Sequence, residues 1–361
     1  MRLGIIARGI EPGGVKRYVN NLLEEFNKIV NKEIQVIVFT DNPGYSRLSN
    51  LKIVLIKKSN KLYWDYIKSI FYIRNENLDF IIYPKNIIPI THLILKPMKI
   101  NIIHDLAHFN KILKAYPFFD TLYMTSFMKL SCRISSRIVA VSENTKRDIV
   151  KILGIDKEKI SVVYEGIESS FKNYSRKNIA RHIKKPFLFY AGSLSPRKNI
   201  FRLLKAFERI KNHIPHNLYI TGGKKWGNNK IEDLMEKLSY RVKRLGEVSE
   251  EQLRDLYSEA EVFIYPSLYE GFGLPILEAQ ACGCPVISSN STSLPEVGGK
   301  SVYYIDPYNE EEISLAILKI LRNKKLKERL VKKGYNNIKR FSWKKSAQEI
   351  LDLLAKFKKK N

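Results

Sequence analysis

Two doubly wound α/β domains are predicted by three features of the 361-residue chain. Short runs rich in Val, Ile, Phe and Tyr alternate with amphipathic helical patterns from end to end. The alternation restarts after a polar stretch near the middle. The length also exceeds the roughly 250–300 residues that one hydrophobic core usually organises.

In the first half the runs at 3–7, 34–39, 53–56, 80–83, 100–104, 138–141 and 161–164 predict strands, with helices such as 15–29 and 144–153 between them. In the second half strands are expected at 187–191, 218–221, 241–245, 262–265, 285–288 and 302–305. Residues 168–186, polar and without periodicity, form the expected linker and divide the chain into domains 1–172 and 173–342. Two such domains would face each other across a cleft, and open parallel sheets bind ligands beyond the carboxyl ends of their strands.

Hydrophobic residues at 44% and charged residues at 27% exclude a disordered chain. Cys132, Cys282 and Cys284 are too few for a disulfide framework or a thiolate zinc site, which points to a reducing compartment. No apolar run reaches the roughly 18 residues of a membrane span, and Met1-Arg2-Leu3 leads straight into a strand, so a cytoplasmic protein is expected. The net charge of +27 calls for an anionic partner: nucleic acid, an acidic membrane face or a phosphate-bearing substrate. Residues 319–361 carry 16 basic and 3 acidic side chains, net +13, against net +14 for all that precede them. This segment reads as a helix with Ile350, Leu351, Leu353, Leu354 and Phe357 on one face and Lys344, Lys345, Lys356 and Lys358 to Lys360 elsewhere, a solvated or interfacial pattern.

The densest motif is Pro266-Ser267-Leu268-Tyr269-Glu270-Gly271-Phe272-Gly273-Leu274-Pro275-Ile276-Leu277-Glu278-Ala279, which follows a strand and opens a helix. Gly271 and Gly273 admit close backbone approach, Pro275 suits a first helical turn, and the N–H groups there favour a phosphate. Glu278 can accept two hydrogen bonds from a sugar diol, and Glu270 would reach the other end of the same ligand. The plainer alternative is a Gly-rich turn with two solvated glutamates.

At this string the chain resembles the retaining glycosyltransferases of family 4, whose GT-B architecture pairs two Rossmann-like domains. Their Glu-x7-Glu spacing matches Glu270 and Glu278. The resemblance implies that Glu278 holds the ribose of a nucleoside diphosphate sugar, that Glu270 contacts the donor hexose, and that the Gly271, Phe272, Gly273 and Leu274 amides meet sugar and phosphate. It also implies a first domain for the acceptor, a second for the nucleotide sugar, and a last helix, 343–361, that crosses back to the first domain.

A second motif, Tyr190-Ala191-Gly192-Ser193-Leu194-Ser195-Pro196-Arg197-Lys198-Asn199, sets two cations at a helix start, a strong diphosphate clamp. Family members hold the donor diphosphate with an Arg and a Lys from this loop. Many carry the Arg directly after the glycine, where this chain has Ser193, so Arg197 with Lys198 is the expected pair; two solvated surface cations are the alternative. Gly9-Ile10-Glu11-Pro12-Gly13-Gly14-Val15 lacks the dinucleotide fingerprint. The resemblance assigns Gly13 and Gly14 to the cleft near acceptor and phosphate, whereas a tight turn alone would also explain them.

His104-Asp105-Leu106-Ala107-His108 lacks the Glu of a zinc-protease helix, and no metal is expected. The resemblance carries His104 to the donor hexose near the reacting carbon, and Asp105 more weakly. His92, His182, His213 and His216 match nothing. Leu245-Gly246-Glu247-Val248-Ser249 fits a loop that reads the base, with Leu245 as contact, and Val141-Ser142-Glu143-Asn144 fits a helix start on the cleft side; ordinary caps and turns account for both almost as well. Ser291 to Glu296 follows the family pattern as scaffold under the Glu270 loop.

The expected reaction is transfer of a hexose, with mannose from GDP-mannose preferred through the Pro196-Arg197-Lys198-Asn199 variant, to a hydroxyl of a glycan or lipid-linked acceptor. Configuration would be retained without a metal or bound cofactor, the cations stabilising the departing diphosphate. Another GT-B sugar-nucleotide enzyme is the rival within the class. A basic nucleic-acid-binding protein is the rival outside it, but no groove-reading motif or base-stacking platform is recognisable. The surplus charge is assigned to the acceptor or to the inner face of an anionic membrane, met by the C-terminal helix and by a stretch around Phe119, Leu122, Tyr123, Phe127 and Lys129.

Overall fold

A computed structural model describes residues 1–9, 13–110, 113, 116–172, 174, 183–223 and 229–360. Ile10, Glu11 and Pro12 of the Gly-Gly turn, Asn173, Ser175, Arg176 and Lys177 of the linker, and His182 lie outside the described residues, as does the side chain of Lys360. The chain divides into two compact units: unit 1 comprises Met1–Phe109, Phe118–Gly166 and Ser342–Asn361, and unit 2 comprises Asn110–Pro117 and Ile167–Phe341. Residues 167–172, expected in the first domain, group with the second, where the Phe171 ring lies 6.4 Å from that of Tyr257.

Unit 1 is built on β1 (Arg2–Ile6), β2 (Gln35–Thr40), β3 (Lys52–Leu55), β4 (Phe80–Tyr83), β5 (Met98–Ile103), β6 (Arg137–Ala140) and β7 (Ile160–Val162). They form one parallel sheet in the order β3-β2-β1-β4-β5-β6-β7, reversing direction of growth between β1 and β4. Central strands covered on both faces become continuous apolar runs, as in β4, where all four residues are buried. Helix α1 (Gly14–Ile29) turns Tyr18, Val19, Leu22, Leu23 and Phe26 inward at helical spacing. Two further helices are α2 (Phe118–Ile134) and α3 (Glu143–Leu153). Ser142 caps the start of α3 through the Thr145 N–H, and left-handed Gly154 ends it.

Unit 2 repeats the plan with β8 (Phe187–Ala191), β9 (Asn217–Thr221), β10 (Val242–Gly246), β11 (Val262–Tyr265), β12 (Val286–Ser289) and β13 (Tyr303–Ile305). The parallel order is β10-β9-β8-β11-β12-β13, so the reversal falls between β8 and β11. Helix α4 (Ile200–Ile210) packs Leu203, Leu204 and Phe207 into this core. It is joined by α5 (Glu250–Glu259), α6 (Leu274–Ala281), α7 (Glu310–Arg322) and α8 (Lys324–Asn337). Ser249 and Gln252 form a capping box at the start of α5.

The last helix, α9 (Trp343–Lys360), belongs to unit 1 and packs on α1. Tyr18 meets Trp343 edge-on at 5.4 Å, and Lys358 pairs with Asp79 at 2.7 Å. Ile350, Leu351 and Leu354 are buried. The helix thus returns to the first unit as expected, with its apolar face used inside that unit, and Phe357 lies under the Arg137 guanidinium at 4.5 Å. Only its lysine-bearing face is left exposed. Among the described residues no helix is long and apolar enough to cross a membrane.

Candidate functional site

The loops after β8 and β11, the strands flanking the reversal in unit 2, are laced together. After β8 the chain runs through a single turn at Pro196–Lys198 into left-handed Asn199, at φ 57°. The Asn199 amide donates to the carbonyls of Pro266 at 3.0 Å and Pro307 at 2.6 Å, and the Leu268 N–H donates to the carbonyl of Arg197 at 2.7 Å. These bonds set Arg197 and Lys198 against the start of the Glu270 loop.

Glu270 is where the two cations meet. Arg197 Nη1 donates to Glu270 Oε2 at 2.8 Å and to the Tyr269 carbonyl at 3.1 Å. Lys198 Nζ donates to Glu270 Oε1 at 2.6 Å and to the Tyr265 hydroxyl at 2.7 Å, and that hydroxyl donates to Oε1 at 2.8 Å. Burial opposes the charge on Glu270, but the Lys198 and Arg197 cations outweigh it and hold its carboxyl down at about 2. Burial, reinforced by Glu270, pushes the Tyr265 phenol well above its ordinary range. The cluster is thus an ionised carboxylate under two fixed cations, one positive charge in excess.

The loop that carries Glu270 is held from below by the turn after β12. The Glu270 N–H donates to Thr292 Oγ1 at 3.2 Å, and Ser293 Oγ donates to the carbonyls of Glu270 at 2.9 Å and Phe272 at 2.7 Å. Thr292 takes up φ 54°, a strained setting for a β-branched residue, retained here beside the charged cluster. Gly273, at φ 124°, caps α6; a Cβ there would come within 2.9 Å of Leu294 Cδ2, so the turn into the helix demands glycine. Phe272 packs edge-on to Phe341 at 5.6 Å, while Leu274 and Pro275 form the first turn.

Glu278 lies within α6, 1% exposed, and its Oε2 accepts from the Tyr257 hydroxyl at 3.1 Å. Leu245 sits at an irregularity in the register of edge strand β10, just before left-handed Gly246. In unit 1, His104 follows β5; its Nε2 donates to the Pro84 carbonyl at 2.9 Å, and its Nδ1 faces Glu165 Oε1 at 3.5 Å. Tyr18 stands edge-on to its ring at 4.8 Å, and the His104 N–H donates to Asn86 Oδ1 at 2.8 Å. Gly13, at φ 143°, and Gly14 are exposed at the start of α1, with nothing among the described residues within 4 Å of where a Cβ would stand. Asp105 caps its own turn through the Ala107 N–H at 3.0 Å.

Arg197, Lys198 and Glu270 are therefore assembled as one cluster, with Gly271–Leu274 continuing the same loop. Thr292 and Ser293 belong to the segment expected as scaffold under this loop and hold it; Tyr265, Tyr257 and Glu165 carry no signal of their own in the sequence. Tyr265 and Tyr257 lie inside apolar patterns, where an aromatic residue reads as core. Ser142 and Ser249 serve as helix caps.

Residues 12–171 match the family model described as Glycosyltransferase Family 4, and residues 171–337 match that described as Glycosyl transferases group 1. The chain is 31% identical over 240 residues to O-antigen chain mannosyltransferase B of Escherichia coli, covering 64% of this chain and 63% of that protein. It is 31% identical over 222 residues to O-antigen chain mannosyltransferase RfbU of Salmonella typhimurium, covering 60% and 59%. The matched segments thus span about six-tenths of these relatives. Among solved structures, sucrose-phosphate synthase of Thermosynechococcus elongatus aligns with a TM-score of 0.78 at 19% identity over the whole of both chains. HepE of Anabaena, in complex with UDP and glucose, aligns at 0.77 with 16% identity, over 99% of this chain and 100% of that one.

Proposed function

The chain belongs to the group 1 glycosyltransferases of family 4, and from that premise we propose that it transfers a hexose from a nucleoside diphosphate sugar to an acceptor hydroxyl. The observation that carries this reading is the Arg197–Glu270–Lys198 cluster at the strand-order reversal of unit 2, where open parallel sheets bind ligands. In this reading the donor lies over the loops after β8 and β11, with its diphosphate toward Arg197 and Lys198 and its hexose toward Glu270. The Gly271, Phe272, Gly273 and Leu274 backbone lines the sugar. Glu278 serves the ribose, and Leu245 the base.

In the reaction the bond from the anomeric carbon to the β-phosphate oxygen breaks as the acceptor oxygen bonds to that carbon. The acceptor proton passes to the departing phosphate, and the electron pair leaves with the nucleoside diphosphate. Negative charge grows on the diphosphate, and fixed cations in a site sheltered from water stabilise it without reorganisation. Glu270, paired with two cations and ionised at neutral pH, is poorly disposed to act as a nucleophile. That favours a front-face, oxocarbenium-like path with retention. Unit 1 is the acceptor domain in this reading, with Gly13, Gly14 and His104 on the reacting side.

Mannose is the preferred sugar, in keeping with the similarity to two proteins described as mannosyltransferases. A cytoplasmic enzyme touching the inner membrane face through the lysines of α9 fits the charge distribution. The test is calorimetric binding of GDP, UDP, GDP-mannose and UDP-glucose, followed by donor hydrolysis and product mass. Tight binding of GDP and release of mannose are expected; failure of every nucleotide sugar to bind would overturn the reading.

A further inference from the structure

Of the net +13 carried by residues 319–361, the stretch 319–340 supplies +9, with 10 basic side chains against 1 acidic. That stretch ends α7 and forms α8, both in unit 2, ahead of the last helix. Elsewhere unit 2 pairs its surface cations: Lys327, on α8 itself, holds Glu261 at 2.5 Å, Lys237 holds Glu208 at 2.9 Å and Lys185 holds Glu259 at 3.0 Å. Four cations on and around α8 have no such partner, and they converge on one cavity.

The cavity lies beyond the amino end of β13, among the turn at 299–301 and helices α7 and α8. Lys300 comes from the turn, Lys319 from the end of α7, and Arg329 and Lys333 from one face of α8, four residues apart. Buried Val302, Leu326 and Leu330 form its floor. No carboxylate lines it, and among the described residues none of the four cations forms an ion pair. Lys319 Nζ lies 5.3 Å from the centre of the Tyr303 ring, which fixes one wall.

Two features of α8 are unfavourable unless an anion is near. Arg329 and Lys333 set like charges at i and i+4, where they repel. The first turn holds Lys324 and Lys325 and no carboxylate, although the helix dipole favours negative charge there. Asn323 caps that turn through the Leu326 N–H at 2.9 Å and also lines the cavity, so the positive end of the helix borders it. Size and lining then narrow the occupant. The cavity holds about 240 Å³, under the roughly 300–1,000 Å³ of sites that enclose whole small molecules. A short chain of phosphates fits in that space, and a nucleoside does not. The one aromatic ring in the lining, Tyr303, is already met by Lys319, so there is no platform for a stacked base.

We propose that this cavity binds a short polyphosphate, either an inorganic chain or the phosphate tail of a nucleotide whose nucleoside stays in solvent. Lys300, Lys319, Arg329 and Lys333 supply charge-assisted bonds to its oxygens. The site is distinct from that of the sugar-nucleotide donor: β11, β12 and β13 are parallel, the Glu270 loop leaves the carboxyl end of β11, and this cavity precedes β13. The assignment does not depend on the donor reading.

Titration calorimetry at about 0.15 M salt, where charges out of contact are largely screened, tests it with tripolyphosphate, orthophosphate, ATP and AMP as probes. The protein carries Arg197→Ala throughout, which weakens the donor site. Tripolyphosphate should bind this variant one to one, at least about tenfold tighter than orthophosphate. Adding Lys319→Gln and Lys333→Gln should weaken it about tenfold, since exposed charge contacts are worth up to about fivefold each. Adding Arg329→Glu and Lys333→Glu instead should abolish it. All three positions are exposed, so these variants keep the fold. ATP binding as tightly as tripolyphosphate, with AMP inert, would identify a nucleotide tail as the occupant, and ATP binding far more weakly would identify the inorganic chain. Loss of the tripolyphosphate site through Arg197→Ala alone would assign the anion to the donor cations and overturn the proposal. Affinity unchanged by the charge reversal would also overturn it. So would tighter binding of an oligothymidylate or of phosphatidylglycerol vesicles, lost in the same reversal, which would make this face a nucleic-acid or membrane surface.

Discussion

Lys198 Nζ lies 2.6 Å from Glu270 Oε1, and both side chains are nearly closed to solvent. With Arg197 on the other oxygen at 2.8 Å, one carboxylate organises two cations that come from a different loop. In the proposed reaction Glu270 would serve the donor in two ways: as the contact to the hexose, and as the tether that aims the cation pair. A tethered pair resists collapse onto other acceptors, so the positive charge is already in position when a diphosphate arrives.

The pair should behave as one unit thermodynamically. Lys198→Met leaves Glu270 with Arg197 alone, and Glu270→Gln leaves buried Lys198 and half-buried Arg197 unneutralised; each should cost on the order of 3 kcal/mol. The double variant returns the cluster to its original net charge of +1, carried by half-buried Arg197 alone, and should lose at least about 1.5 kcal/mol less than the sum of the singles. Urea unfolding of the four proteins at pH 7 measures this coupling, and additive losses would deny it.

Acid should destabilise the protein in two windows. Burial brings His92 down to about 4, its Nδ1 paired with the Tyr83 hydroxyl at 2.9 Å and its Nε2 with that of Ser69 at 3.0 Å. A depressed folded-state value means stability is full above the unfolded value near 6.5 and is lost as the pH falls toward 4. Glu270, held at about 2 against 4.5, gives stability that is full above pH 4.5 and is lost between there and 2. Each group accounts for a loss on the order of 3 kcal/mol. The slope of urea midpoint against pH should flatten in the upper window for His92→Gln and in the lower for Glu270→Gln. A parallel profile in either variant would remove that group from the account.

Much of this architecture was legible because period and punctuation agree. All thirteen expected strands occur, shifted by no more than two residues at either end. The Glu270 loop was legible because Gly273, Pro275 and the two glutamates each have a local signature. What sequence did not disclose is pairing. Nothing in the order of residues says that Tyr265, patterned as core, turns its hydroxyl to Glu270, or that Thr292 takes a left-handed turn to hold that residue's N–H. The last helix is a mixed case: the resemblance returns it to the first domain, but its own amphipathic pattern reads as solvated or interfacial, and nothing local says that Ile350 and Leu354 pack on α1, more than 300 residues earlier.

Gly222 should tolerate no side chain. At φ 127°, a Cβ there would come within 2.2 Å of the Gly192 carbonyl oxygen, which is backbone and cannot swing aside. The clash would part the ends of β8 and β9, where the Gly192 N–H donates to the Thr221 carbonyl at 3.0 Å. Gly222→Ala should cost about 3 kcal/mol or more and weaken nucleotide binding along with stability. Gly246→Ala, with open space around the Cβ, meets only the backbone penalty of a positive φ, about 1 kcal/mol. Thermal melts of the pair separate the two effects, and equal losses would remove close approach as the cause.

Arg197 should prove a catalytic group more than a structural one. Its side chain is partly open to solvent, so Arg197→Lys keeps the charge and costs the fold little, but it loses the planar fork that can reach Glu270 and a phosphate oxygen together. If the departing diphosphate is stabilised there, the deficit belongs to the transition state: kcat should fall about 100-fold while KM for the sugar nucleotide changes only a few-fold. Arg197→Ala should fall further, and Lys198→Met likewise, without a change in the configuration of the product. Because the stabilising charge is carried by side chains, wild-type turnover should persist in excess EDTA. Abolition by chelator, with recovery on adding a divalent ion, would show that a metal, and not this pair, carries the leaving group's charge.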